Sequence, residues 1–326
     1  MGWKEIVGQH RIVSFLDGAI HRGKIAHAYV FDGPKGIGKM NTALAFAKAI
    51  ECKNYQGEAC NVCSSCIKFH GNNHPDITII EPDGQSIKNK QIEEFQQDLL
   101  LKPYESQKKI YIVNQADEMT VSAQNRLLKT LEEPPEYAVI ILISTNFNRF
   151  LPTIRSRCQI LKFHRVGEKE IITYLRDKHH ITGEEAKLLA AFSDGIPQKA
   201  LDLKNAEDFI KRREVTIEVI DQLLKKDSFQ IFSMFDFFQQ YKDDITEILD
   251  FMIAWFRDIL FLSGLQAEDY LINLDRKSQL ERHSRTISYD KISNVIEIIE
   301  KTKKDIRSNV NFQLAIEIML LSIQEV

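Results

Sequence analysis

Gly33-Pro34-Lys35-Gly36-Ile37-Gly38-Lys39-Met40 is the stretch on which the reading of this chain turns. It follows the phosphate-loop pattern G-x-x-x-x-G-K-[ST] up to its last position. In that pattern the glycines let backbone N–H groups wrap phosphates, the lysine adds charge and the hydroxyl ligates Mg²⁺. Position 40 carries Met instead of Ser or Thr. A thioether is a soft ligand, and Mg²⁺ is a hard cation that takes oxygen. Asn41 and Thr42 do not simply take over, because each helical step turns a side chain by about 100°.

The surroundings fit a true phosphate loop. Ala28-Tyr29-Val30-Phe31 reads as a short buried strand before it, and residues 42–50, with Ala43, Leu44, Phe46 and Ala47, read as the helix after it. Strand, glycine loop and helix are the context that the motif requires. The expected fold class is therefore α/β, a P-loop domain built on a parallel sheet. Lys109-Ile110-Tyr111-Ile112-Val113 reads as a further strand, whose end in an active ATPase carries Asp and then Glu. Here those positions are the neutral amides Asn114 and Gln115. Asp117 and Glu118 follow, but three extended residues would carry them about 10 Å beyond the strand end, so a loop role is expected for them. The apolar strand 139–144 ends in Ser144-Thr145-Asn146, which could sense a phosphate or simply close its own loop. Helices are expected over 11–21, with Ile12, Phe15, Leu16 and Ala19 inward, and over 91–101, with Ile92, Phe95, Leu99 and Leu100 inward.

Four of the five cysteines, Cys52, Cys60, Cys63 and Cys66, fall within one short insertion. The last three are spaced C-x-x-C-x-x-C. Zinc takes four ligands in a tetrahedron, and four cysteines with no open position point to a structural Zn²⁺. A redox C-x-x-C pair and an iron–sulfur cluster are the rivals. His70 and His74 read as surface residues, with substitute metal ligands as the alternative.

Beyond Pro197 the remaining 129 residues contain one glycine, Gly264, and no proline. Ile245, Leu249, Met252, Phe256, Ile259 and Leu260 repeat at helical spacing, as do Ile292, Val295, Ile296 and Ile299. Residues 312–323 are apolar nearly all round, which predicts a helix buried within its own chain or against another subunit. The stretch 248–265 contains Asp250, Arg257 and Asp258 and suits a buried helix better than a membrane span. Lys301, Lys303, Lys304 and Arg307 read as a solvated basic face. The net charge of −3 gives no global pull toward nucleic acid. No apolar leader with a cleavage site is present at the start, so a cytoplasmic location is expected.

Taken together the chain resembles the delta-prime family of bacterial DNA polymerase III clamp-loader subunits, which have AAA+ architecture. The residues that carry the resemblance are Ile6-Val7-Gly8-Gln9, Ala26-His27-Ala28-Tyr29 leading into the glycine loop, and the cysteine insertion. To these add Asn125-Arg126-Leu127-Leu128-Lys129-Thr130-Leu131-Glu132-Glu133-Pro134-Pro135 and Leu151-Pro152-Thr153-Ile154-Arg155-Ser156-Arg157-Cys158. The resemblance implies three domains. They are an AAA+ domain over 1–164 with a Cys₄ zinc insertion at about 52–66, a small helical lid over 165–205, and an all-helical collar over 206–326. It implies that Gly33, Gly36, Gly38 and Lys39 are a vestigial nucleotide site, and that Met40, Asn114, Gln115 and Gln198 are degenerate positions. Gln198 stands where motor subunits carry a sensing Arg. Because Lys39 is kept, ATP binding without hydrolysis stays open. Arg157 takes the place of an arginine finger that acts in trans on ATP held by a neighbouring motor subunit. The implied partners are gamma/tau motor subunits and delta in a hetero-pentamer, with the sliding clamp and primer-template DNA reached through the complex, and no membrane. An active motor ATPase and a zinc-stabilised nucleic-acid-binding module are the competing readings.

Overall fold

A computed structural model describes residues 2–225, 231–264 and 270–325. Leu265, at the end of the apolar stretch noted above, lies outside the described residues. The chain separates into two compact units. Unit 1 comprises Met1–Tyr174 and Asp194–Lys199, and unit 2 comprises Leu175–Ser193 and Ala200–Val326. The segment expected as a lid thus contributes to both.

Unit 1 is an α/β domain around a five-stranded parallel sheet. The strands are β1 (Ala28–Asp32), β2 (Ile77–Ile80), β3 (Lys109–Val113), β4 (Ala138–Ser144) and β5 (Gln159–Lys162), in the order β2-β3-β4-β1-β5. β1, β3 and β4 carry near-continuous apolar runs because both faces of a parallel sheet are covered. On one face Val30, Tyr111, Val113, Ile140 and Leu142 meet α4 (Asn89–Leu99) and α5 (Val121–Glu132) through Phe95, Leu99, Leu127 and Leu131. On the other, Tyr29 meets Phe46 of α2 (Lys39–Glu51) edge to face, their ring centroids 5.3 Å apart. α1 (His10–His21) buries Ile12, Leu16 and Ala19. Phe15, expected inward, is exposed, because it sits at the border of that stripe. α3 (Ser64–His70) belongs to the cysteine insertion, and α6 (Pro152–Arg155) is one turn before β5.

Two further expectations in unit 1 are corrected. α4 stops at Leu99, ahead of Pro103, so Leu100 is 79% exposed rather than inward. A residue before proline is pushed out of helical geometry, and the helix ends early. His74, expected at the surface, is buried; it pairs with Ser65 Oγ at 3.0 Å and its Nδ1 accepts the Asp76 N–H. Asp76 is not in β2. Its carboxylate accepts the backbone N–H groups of Tyr104, Glu105 and Ser106 and organises the loop after α4.

The rest of the chain is helical: α7 (Glu168–His179), α8 (Gly183–Phe192), α9 (Pro197–Asn205), α10 (Glu207–Leu224), α11 (Ile231–Gln240), α12 (Ile245–Gly264), α13 (Lys277–Ser284), α14 (Tyr289–Arg307) and α15 (Phe312–Glu325). In unit 2, α12 is wrapped by α10, α13 and α14, and its Ile248, Leu249, Met252, Phe256 and Ile259 are buried. Asp258, also buried, accepts both backbone and side-chain N–H groups of Asn273 at 2.7 and 2.8 Å, and Asn273 in turn receives Arg213. Burial raises the Asp258 carboxyl above its usual range. α15 is covered by its own chain on one side only: Ala315, Ile316, Met319, Leu320 and Ile323 are buried, whereas Leu314, Ile318 and Leu321 form an exposed apolar stripe. No described helix is long and apolar enough to cross a membrane.

Candidate functional site

The glycine loop joins β1 to α2 and lines a cavity of about 350 Å³. Gly36 holds φ at +80°, and a Cβ there would come within 2.9 Å of the Gln198 Cβ, so both backbone and space exclude a side chain. Gly38 is left-handed at φ 102° and starts α2 directly. Lys39, 5% exposed, turns its ammonium onto the loop's own Gly33 and Pro34 carbonyls. Burial pushes that ammonium down to about 8, against the opposing pull of Asp32 and Asp117.

The degenerate positions gather on this cavity. Met40, Asn114, Gln115 and Gln198 all line it with Lys35, Lys39, Ser144 and Thr145. The Thr42 hydroxyl is buried and donates to the Gly38 carbonyl at 2.9 Å, so it offers no metal ligand. Asn41, expected to turn away, also lines the cavity. The Asn114 amide donates to Glu81 at 2.9 Å, away from the loop.

Asp117 is where the extended-chain argument fails. Gln115 takes a left-handed conformation, φ 48° and ψ 46°, and Ala116–Glu118 form a 3₁₀ turn that folds back on the strand end. Asp117 therefore lines the cavity instead of lying beyond it. It is buried, and its Oδ2 accepts Thr145 N–H at 3.2 Å, the Thr145 hydroxyl at 2.8 Å and Asn146 N–H at 3.1 Å. Its Oδ1 is buried without a hydrogen-bond partner. Glu118 also lines the cavity but is paired with Arg149. The Ser144-Thr145-Asn146 corner thus closes its own loop while presenting Ser144 and Thr145 to the cavity.

Arg157 follows α6. Its guanidinium, about one-third exposed, pairs with Glu132 at the end of α5 at 2.9 Å and donates to the Thr153 carbonyl at 3.0 Å. Arg155 instead lies over the Phe147 ring, 5.4 Å from its centroid. The burial of the Cys158 thiol pushes it up to about 12, which makes it inert.

The sulfurs of Cys52, Cys60, Cys63 and Cys66 lie within 4.8 Å of one another. A tetrahedral ion with bonds of about 2.3 Å needs sulfurs about 3.8 Å apart, so small adjustments would close the set. The turn is already arranged for thiolates. Cys60 N–H donates to the Cys52 sulfur at 3.2 Å and Cys63 N–H to the Cys60 sulfur at 3.4 Å. The N–H groups of Val62 and Cys63 hold the Cys60 thiol down to about 6, while burial pushes Cys66 up to about 12. This donor set fits a closed metal site. His70 and His74 are not in it.

Residues 8–167 match the family model described as "DNA polymerase III, delta subunit", and residues 207–325 match "DNA polymerase III, delta subunit, C terminal". The chain is 33% identical to DNA polymerase III subunit delta' of Bacillus subtilis, an alignment covering 100% of this chain and 99% of that one. It is 28% identical to subunit tau of the same organism over 98% of this chain, but spans 61% of tau. Among solved structures, the Bacillus subtilis clamp loader delta protein aligns with 96% of this chain and 100% of its own at 14% identity and a TM-score of 0.37. The Thermotoga maritima RuvB branch migration motor aligns with 68% of this chain and 66% of its own at 17% identity and a TM-score of 0.45. By the full-length match to delta' and the two family models, the chain belongs to the delta-prime family of DNA polymerase III clamp-loader subunits.

Proposed function

We propose that this chain is a non-hydrolysing member of a clamp-loader ring, and that Arg157 meets ATP bound on a neighbouring gamma/tau motor subunit. The carrying observation is the identity of three cavity residues: Met40, Asn114 and Gln115 stand at the positions where an active site carries the hydroxyl and the carboxylates that hold Mg²⁺ and the attacking water. Asp117 and Glu118 are near, but Thr145 and Asn146 engage the Oδ2 of the first, leaving its Oδ1 buried, and Arg149 pairs with the second. Gly33, Gly36, Gly38 and Lys39 then form a vestigial nucleotide loop. Its lysine is occupied by loop carbonyls.

The pairing of Arg157 with Glu132 is compatible with a role in trans. Both groups are partly exposed, and such pairs contribute about 0–1 kcal/mol. A neighbour's γ-phosphoryl group offers a stronger, charge-assisted bidentate partner, so exchange costs little. Cys52, Cys60, Cys63 and Cys66 would hold one Zn²⁺, which supplies no chemistry beyond fixing the insertion. Residues 1–164 act as the ring's AAA+ domain, 165–205 as a lid and 206–326 as a collar that joins a hetero-pentamer with motor subunits and delta. Sliding clamp and primer-template DNA are engaged through that complex. The exposed stripe of α15 gives the collar an apolar face to bury.

An active motor subunit is the second reading, favoured by Asp117 lining the cavity beside an intact lysine. Copurification with a motor subunit, followed by ATPase assay of each chain and the mixture, separates the two. We expect no turnover from this chain alone and enhanced turnover in the assembled complex. Turnover by the lone chain that Lys39→Ala abolishes rejects the first reading.

A further inference from the structure

Lys48 lies on the buried side of α2 and is 1% exposed. A lysine so deep must be held by hydrogen bonds or it would lose its charge. Its ammonium donates to the side-chain oxygen of Asn61 and meets His70 Nε2 at 3.1 Å, with the Phe69 ring centroid 5.6 Å away. All three of those residues belong to the cysteine insertion. Because an ammonium only donates, His70 Nε2 must accept, which places its remaining ring proton on Nδ1. The neighbouring Lys48 charge also lowers the His70 pKa.

Asn61 is not an incidental partner. It is the first residue between Cys60 and Cys63 and is left-handed at φ 63°. It directly follows Cys60, whose sulfur accepts the Cys63 N–H at 3.4 Å. One residue thus links the Lys48 ammonium, through its side chain, to the Cys60–Cys63 turn, through its place in the backbone. α2 carries Lys39 at its start and runs directly into Cys52 at its end, a separation of about 20 Å at 1.5 Å per residue.

We infer that Lys48 is the positioning residue of the cysteine centre: by gripping Asn61 it fixes the Cys60–Cys63 turn in its metal-ready form and ties it to the phosphate-loop helix. The inference rests on the zinc reading above. Groups that orient metal ligands from outside the ligand set change metal affinity by about 10–100-fold when removed. The same should hold here although neither Lys48 nor Asn61 touches the ion.

The test is zinc competition against a chromophoric chelator, using the full chain. Lys48→Met keeps the buried stem and removes the donor. Asn61→Gly keeps the left-handed backbone and removes the acceptor. Asn61 is exposed, so the second variant should fold even if the first does not. Each is expected to bind zinc about 10–100-fold more weakly. The double variant should be no weaker than either alone, because both remove one interaction. Urea midpoints of the EDTA-treated, metal-free chains should stay near wild type for Asn61→Gly, which separates ligand positioning from general destabilisation, whereas in zinc its midpoint should fall with the lost affinity. Zinc affinity within twofold of wild type for Asn61→Gly, or effects that multiply in the double variant, overturns the inference alone. A wild-type chain purified without stoichiometric zinc overturns the zinc reading and this inference with it.

Discussion

At position 40 a hydroxyl has become a thioether, and at 114 and 115 two carboxylates have become amides of nearly the same shape. On the proposed function these differences keep the packing of a phosphate site and remove its metal chemistry. Restoring Met40→Thr alone should therefore leave turnover at background in a phosphate-release assay, because Asn114 and Gln115 still carry no charge. Lys39 gives a second test. Its folded value of about 8 lies below its ordinary 10.5, so the folded chain binds fewer protons than the unfolded chain between those limits. Stability then rises with pH across that window, and the cost of burying the ammonium is fully present below pH 8. Urea unfolding should show wild type gaining stability relative to Lys39→Met as pH rises from 8 toward 10; a constant difference would show that the ammonium is solvated. Glu132→Gln, which removes the exposed partner of Arg157, should cost no more than about 1 kcal/mol in the same experiment.

The cysteine insertion stands on few apolar contacts of its own. Beside its sulfurs it is held by Trp3, whose indole N–H donates to Tyr55 at 2.9 Å and whose backbone N–H donates to Glu58 at 2.9 Å. Chelation should loosen the insertion and release Trp3, since binding energy at such a site is folding energy. Read in a Trp255→Phe background, Trp3 fluorescence should shift on EDTA addition, recover with zinc, and resemble the EDTA state in Cys63→Ser; no change on chelation would mean that the insertion folds without metal. Much of this architecture was legible in advance. The apolar runs of β1, β3 and β4 and the glycine loop between strand and helix carry local signals, and the cysteine spacing marks a cluster while leaving zinc, a redox pair and an iron–sulfur centre as its readings. The exceptions share a cause. Gln115 enters the left-handed region without being Gly or Asn, and nothing in the sequence marks that turn, so Asp117 was placed too far away. Lys48 looks like any solvated helix lysine until the fold buries it. Nothing beside Asp76 marks its three N–H partners, which lie 28 to 30 positions later. Side chains that bridge distant loops leave no periodic trace.

For the whole molecule, the features left unused within one chain are those that an assembly would use. Leu314, Ile318 and Leu321 share one exposed face of α15 at helical spacing. Ile318→Glu should change the stability of the free chain by less than about 1 kcal/mol, as surface changes do, yet weaken copurification with motor subunits. Unaltered copurification would remove α15 from the collar interface. Arg157 is the feature on which the account rests. The decisive measurement is DNA-stimulated ATPase and clamp loading by a complex of wild-type motor and delta subunits with Arg157→Ala in this chain, beside Arg155→Ala. Arginine fingers can be worth about 10³–10⁵ in rate where they are best measured. The account expects the Arg157→Ala complex to assemble and to lose both activities, Arg155→Ala to lose less, and Arg157→Lys to be impaired because an ammonium lacks the planar fork. An Arg157→Ala complex that assembles and loads clamps at the wild-type rate would contradict it.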